Sequence, residues 1–495
     1  MSKLIILGID GMDWLSTQNM LSELKNIKAL SETGLVTELD SIYPPDSIPS
    51  WISIFTGMDP SEHGVLESID YFKKDARGFK VDLDTFKGKT FWDEASRIGK
   101  KVIVINPLLA YPPWKVNGIM ASGPVFISGK VLTFPDHLKD NFPPPPLGGI
   151  VDFPTKKELE SFAEKTMCET ELIVQYAIKL MKKHEWDLVL ISLLTLDRIS
   201  HFFWRFQDPD DPTYPGSNRF EDVIKNFYRA IDNYIGMLLS ESDEDTLILI
   251  LSDHGHGRRP TLLFNLNQLL MEHGYLKSRI KGNRYLSPKF YLEKAKNLTL
   301  ETLHRLDMED ISYKVAKILP WTRKMKKGDF ITDYTSNIAS ASKFGGNNPF
   351  GGIDISKELC ERNGLSYEKV RDEIINLLMS VTDREGKKVF RWVKRREEIY
   401  SGPKLEVFPE LLYEMEPEYG TSWSLYVPLI TINPRHRKIS GGHRQKGILA
   451  VGPLRGWKIV KENISPLNIK QTVINILTGG VRKEEMQRKS FLEKD

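Results

Sequence analysis

Leu4-Ile5-Ile6-Leu7-Gly8-Ile9-Asp10-Gly11-Met12-Asp13 is an apolar run that stops on a carboxylate. A short apolar run bounded by glycine reads as a strand buried on both faces. A carboxylate just past its last apolar residue falls at the C-terminal rim of the sheet, where open α/β sheets hold their ligands. The same grammar returns twice: the run from Asp187 to Thr195 leads to Asp197, and Thr246 to Ser252 leads to Asp253-His254. Three such endings, two with a histidine close by, point to a metal centre on the rim.

Around these runs the chain alternates strands and helices. Val36–Ile42 and Lys101–Asn106 read as strands, and Pro107–Pro113 as a loop. Lys156–Lys183, Arg219–Leu239, Ser366–Ser380 and Ile469–Leu477 read as helices, and Gly447–Val451 as a strand. This alternation predicts an α/β fold around a mostly parallel sheet. With 495 residues the chain exceeds one core, so insertions or a second domain are expected. The character changes after Pro260. From Lys277 to Lys327 there are fourteen Lys/Arg against five Asp/Glu, a balance of +9, with Leu298, Leu300, Leu303, Leu306, Ile311, Val315 and Ile318 at helical spacing. Residues 260–329 are therefore read as a helical basic insertion or cap, with 1–259 and 330–495 as a discontinuous catalytic core. A solvated charged face is the plain account of such a segment. The functional accounts are attraction of an anionic substrate or of an acidic surface, and Trp321–Lys327 fits weak contact with an anionic membrane.

The bulk properties narrow the classes. Two cysteines, Cys168 and Cys360, make neither a disulfide framework nor a thiolate metal site. No run reaches the length of a membrane span. Residues 3–9 are too short for a signal segment, so a cytoplasmic location is expected. A net charge of +3 gives no reason to expect specific nucleic-acid binding.

One further stretch carries chemistry. In Asp46-Ser47-Ile48-Pro49-Ser50-Trp51, Pro49 and the later Gly57 frame a helix, with Ser47 just before it, close to the N-cap. Such a place binds anions, so a hydroxyl there can attack phosphorus; alternatively, Ser47 is only a cap. Asp197 and His201 stand at i, i+4, which suits one helix face or a loop around an ion. The candidates are Asp10, Ser47, Asp197, His201, Asp253, His254 and His443. Aspartates with neutral imidazoles suit zinc or manganese, and two such ions can hold the attacking and leaving oxygens of an in-line displacement. Asp13 is a weaker alternative to Asp10. His256 is read as a neighbour of the ligands or of substrate, Trp51 and Trp204 as packing, and Arg435 and His436 as basic surface.

In this order the motifs resemble the alkaline phosphatase superfamily, and within it the type I phosphodiesterase/nucleotide pyrophosphatase branch. The resemblance rests on Gly8-Ile9-Asp10-Gly11, Ser47-Ile48-Pro49 with Thr56-Gly57 and Pro60-Ser61-Glu62-His63-Gly64, Asp197 with His201, Ser252-Asp253-His254-Gly255, and Gly442-His443. It implies a three-layer sandwich and a metal-dependent phosphohydrolase, of phosphodiesterase type, acting on a small-molecule or lipid-headgroup phosphoester. It implies one divalent cation, zinc or manganese, on Asp197, His201 and His443, and a second on Asp10, Asp253 and His254. Ser47, where the family often has threonine, would be the nucleophile that forms a phosphoserine. Two departures are visible: His63-Gly64 is not followed by the asparagine usual in nucleotide pyrophosphatases, and the sulfatase nucleophile motif is absent. The rival readings are a phosphomonoesterase or phosphotransferase on the same fold, and a non-catalytic binding protein.

Overall fold

The computed structural model describes residues 3–66, 83–125, 129–147, 153–280, 283–311, 314, 332, 336–460, 463–480 and 489–494. The run Trp321–Lys327, with Val315 and Ile318, lies outside these. The chain divides into two compact units: residues 1–207, 217–257 and 443–495 form the first, and 208–216 with 258–442 the second.

The first unit is built on an eight-stranded sheet. From one edge its strands run Leu35–Asp40, Lys446–Gly452, Thr246–Leu251, Lys3–Ile9, Leu188–Leu193, Val102–Ile105, Gly118–Ser122 and Leu132–Phe134. The central five are mutually parallel, as the apolar runs predict, and the others add antiparallel edges. Register sets where the strand-end carboxylates lie. Gly8 pairs with Ser192 on one side and Leu251 on the other, so the three central strands end level. Asp10 and Asp253 each leave the sheet two residues past that paired row, and Asp197 follows in the next element.

Strand alternation sends Leu4 and Ile6 to one face, where they meet Trp51, Ile52 and Phe55 of helix Ser47–Thr56, Trp92 of helix Phe91–Arg97 and Val473 of helix Ile469–Leu477. On the sheet's other packing side, helix Leu159–Lys183 lies against the strands Leu188–Leu193 and Val102–Ile105 and against helix Thr195–Gln207. Each fully buried Leu, Ile or Phe here contributes about 1.5–3 kcal/mol. The helix Ser47–Thr56 is buried all round from Ile48 onward, which fits its apolar sequence. Among the described residues no helix is long and apolar enough to cross a membrane.

The second unit is larger than the insertion expected at 260–329. Residues 330–442, assigned by sequence to the catalytic core, pack with the second unit, because they carry a hydrophobic core of their own: Phe264, Leu270, Ile353, Ile374 and Tyr413 meet in it. Its four-stranded antiparallel sheet joins Ala339–Ala341, Phe350–Ile355, Leu411–Met415 and Phe390–Arg395. Nor is 260–329 helical throughout, since it opens with the strand Leu262–Asn265. Leu298, Leu306 and Ile311, noted for their helical spacing, are exposed on helix Pro288–Arg305 and just after it.

Candidate metal centre

All seven candidate residues belong to the first unit, and the fold brings them together. Asp197 and His201 lie on helix Thr195–Gln207, so the i, i+4 spacing is helical: His201 Nε2 is 3.3 Å from Asp197 Oδ2. His443 reaches the same place from a distant part of the chain, its Nε2 3.2 Å from His201 Nε2 and 3.5 Å from Asp197 Oδ1. Asp10, Asp253 and His254 form a second group, with His254 Nε2 3.3 Å from Asp253 Oδ2 and 3.5 Å from Asp10 Oδ1. Within each trio, one donor atom per residue lies within 4.8 Å of the others. The rings of His254 and His443 stack at 4.0 Å, so the two trios adjoin.

Ser47 stands at this junction. Its Oγ donates to Asp10 Oδ1 at 3.2 Å and lies 3.1 Å from His254 Nε2. The cap, the alternative role open to Ser47, is made by Asp46, whose carboxylate accepts from the Ile48 amide, and Gly57 closes the helix at φ 68°. Ser47 is the first helical residue, so its hydroxyl is released from capping and aimed at the trio. Asp13 caps another helix through the Ser16 amide, whereas Asp10 faces Asp253 and His254 as a candidate ligand.

Backbone contacts orient the candidate ligands. The carbonyl of Gly255 lies 2.9 Å from His254 Nδ1, and that of Pro45 3.0 Å from His443 Nδ1. A carbonyl only accepts, so each Nδ1 carries a proton, and in the neutral ring Nε2 presents a lone pair to the site. Metal-ligating histidines have this arrangement. The Gly11 amide donates to Asp253 Oδ1 at 3.2 Å, and Gly11 itself needs its missing Cβ: φ is +70°, and a side chain would come within 3.2 Å of Asp197.

The electrostatics agree with this placement. Burial raises Asp10 well above the carboxylate range, and Asp253 and Asp197 push it further. Asp253 is likewise held high by burial and by Asp197. Burial alone would raise Asp197 too, but the adjacent His201, with His256 and His443, brings it well below the ordinary value. Burial and the neighbouring His254 hold His443 down at about 3, so its ring is neutral. Asp253 Oδ2 and Asp197 Oδ1 are buried without a hydrogen-bond partner. Three clustered carboxylates, two of them with an unbonded oxygen, beside imidazole lone pairs fit divalent cations as their counter-charge.

One neighbour of the candidate ligands was not legible as such. Trp51, read as packing, donates its Nε1 hydrogen to Asp10 Oδ2 at 3.0 Å. Its ring crosses the strand over Gly8, where a Cβ would sit 2.6 Å from it. The available signal was spacing: Ser47 and Trp51 are one helical turn apart. His256 is buried, with Nδ1 3.2 Å from Asp197 Oδ1 and its ring tilted on Trp204, so it backs a candidate ligand as expected. His436, read as basic surface, is buried in the second unit, its Nε2 2.7 Å from Asp211 Oδ2. Arg435 bonds Asn347 there. His63 holds Ser53 and the Val65 amide. Part of the stretch after Gly64 lies outside the described residues.

The family described as "Type I phosphodiesterase / nucleotide pyrophosphatase" matches residues 4–420. No curated protein sequence matches the chain. Among solved structures, phosphonoacetate hydrolase from Sinorhizobium meliloti 1021, in complex with phosphonoformate, is similar with a TM-score of 0.52 at 14% identity, over 96% of each chain. Murine ectonucleotide pyrophosphatase/phosphodiesterase 5, in complex with AMP, gives 0.46 at 10% identity, over 97% of this chain and 95% of that one.

Proposed function

We propose, from the premise that this chain belongs to the type I phosphodiesterase/nucleotide pyrophosphatase family of phosphoester hydrolases, that it is a two-metal phosphodiesterase with Ser47 as nucleophile. Asp197, His201 and His443 would hold one divalent cation and Asp10, Asp253 and His254 the other, with Ser47 beside the second. When bound, the cations supply positive charge that favours the serine alkoxide and offsets the negative charge of the phosphoryl oxygens. Ser47 Oγ attacks phosphorus and expels the leaving alcohol, giving a phosphoserine, which water then hydrolyses to regenerate the hydroxyl. The helix start at Ser47 contributes its positive dipole end to the phosphoryl group. Zinc and manganese both suit the donor set.

The observation that carries this reading is the placement of Ser47 Oγ within 3.2 Å of both Asp10 and His254 while Asp46 does the capping. The test is turnover of bis-p-nitrophenyl phosphate against p-nitrophenyl phosphate with added zinc or manganese. Faster diester turnover, abolished in Ser47→Ala, is expected. Preference for the monoester would favour a phosphomonoesterase, and unchanged hydrolysis by Ser47→Ala would remove the mechanism.

A further inference from the structure

Helix Pro288–Arg305 of the second unit turns an apolar face to solvent. Tyr291, Leu292 and Leu298 are exposed along it, with Leu306 just beyond its end. Leu298 is 67% exposed, Leu306 62%, and Leu286, just upstream, 82%. Exposed large apolar side chains grouped along one helix mark a contact site. Two lysines beside it, Lys289 and Lys294, are exposed.

The acidic residues of the same segment are occupied. Glu293 is buried against Lys296 at 2.5 Å, Glu301 pairs with Arg305 at 2.5 Å and Glu309 with His304 at 2.5 Å. Asp307 faces Arg437 at 3.9 Å, and Asp310 bonds Lys438. Lys289 and Lys294 have no carboxylate partner among the described residues, so the outward charge is positive.

We propose that this helix is a docking surface for an anionic phospholipid bilayer. It would lie in the headgroup plane, leucines and Tyr291 toward the acyl boundary and lysines toward lipid phosphates. A second copy of the chain fits less well, because a self-complementary contact on this face would bring Lys289 and Lys294 toward their like-charged equivalents.

The test is co-sedimentation of the full chain with vesicles of phosphatidylcholine alone or mixed with phosphatidylserine, at low and high salt. Binding to the anionic vesicles is expected, about tenfold weaker or lost on neutral ones and weakened by salt. Leu298→Ser with Leu306→Ser should lower it about tenfold or more. Lys289→Glu with Lys294→Glu should do the same without touching the apolar face, which keeps the test open if the leucine variant folds poorly. Hydrolysis of a soluble diester should be unchanged in both. Absence of binding at low salt, equal binding to neutral vesicles, or indifference to both variants would overturn the proposal. So would a dimer in solution that either variant dissociates.

Discussion

Trp51 donates its indole hydrogen to Asp10 Oδ2 at 3.0 Å, while the other oxygen of the same carboxylate accepts from Ser47. The two donors come from one face of one buried helix and hold Asp10 from both sides. Trp51→Phe keeps the ring and removes the hydrogen bond. A drop in metal affinity of about tenfold is expected, the scale for a group that orients a ligand. Isothermal titration with manganese measures it; unchanged affinity would leave the indole with packing alone.

Deleting the Ser47 hydroxyl removes the proposed nucleophile without disturbing the helix cap. Ser47→Ala should lower kcat for a diester by about 10³-fold or more, with the melting temperature little changed. Ser47→Thr retains a hydroxyl and should keep measurable turnover. Steady-state kinetics on the two variants decide between a nucleophile and a spectator.

Metal content should follow the two trios. His443→Ala and Asp253→Ala each remove one member of a separate group, so each should lower the bound divalent ions from two per chain toward one. Elemental analysis of the purified variants reads this directly. A loss of both ions in each variant would mean that the groups act as one site.

Asp46 gives a pH signature. Burial raises its carboxyl to about 6. Unfolded, the group ionises near 3.8, so between those values the native state binds a proton that the unfolded chain has released. Stability of the chelated protein should therefore fall as pH rises through that window and level off above it. Asp46→Asn keeps an acceptor for the Ile48 amide, removes the charge and should flatten that slope. Asp46→Ala also loses the cap, at about 1 kcal/mol. Urea titrations across the pH range measure both.

The local patterns were readable because they answer to neighbours in sequence. The apolar runs ending at Asp10, Asp197 and Asp253 gave the central strands and the rim, and the Pro49 to Gly57 frame gave the buried helix. Burial on both faces of a parallel sheet demands such runs whatever else the chain does. The second unit was harder to read. Its short antiparallel strands around Ile353 and Tyr413 are stabilised by packing between distant segments, which leaves little periodicity in any one of them.

What the sequence determined by itself is the set of chemically competent side chains and the strand ends that carry three of them. Tertiary structure decided their use: it gave the cap to Asp46 and released Ser47, and it turned Trp51 onto Asp10. It also set carbonyls behind His254 and His443 so that their lone pairs face inward. Those choices depend on contacts between residues tens to hundreds of positions apart. Strand register and buried polar satisfaction fix such contacts, and no short window of sequence contains them.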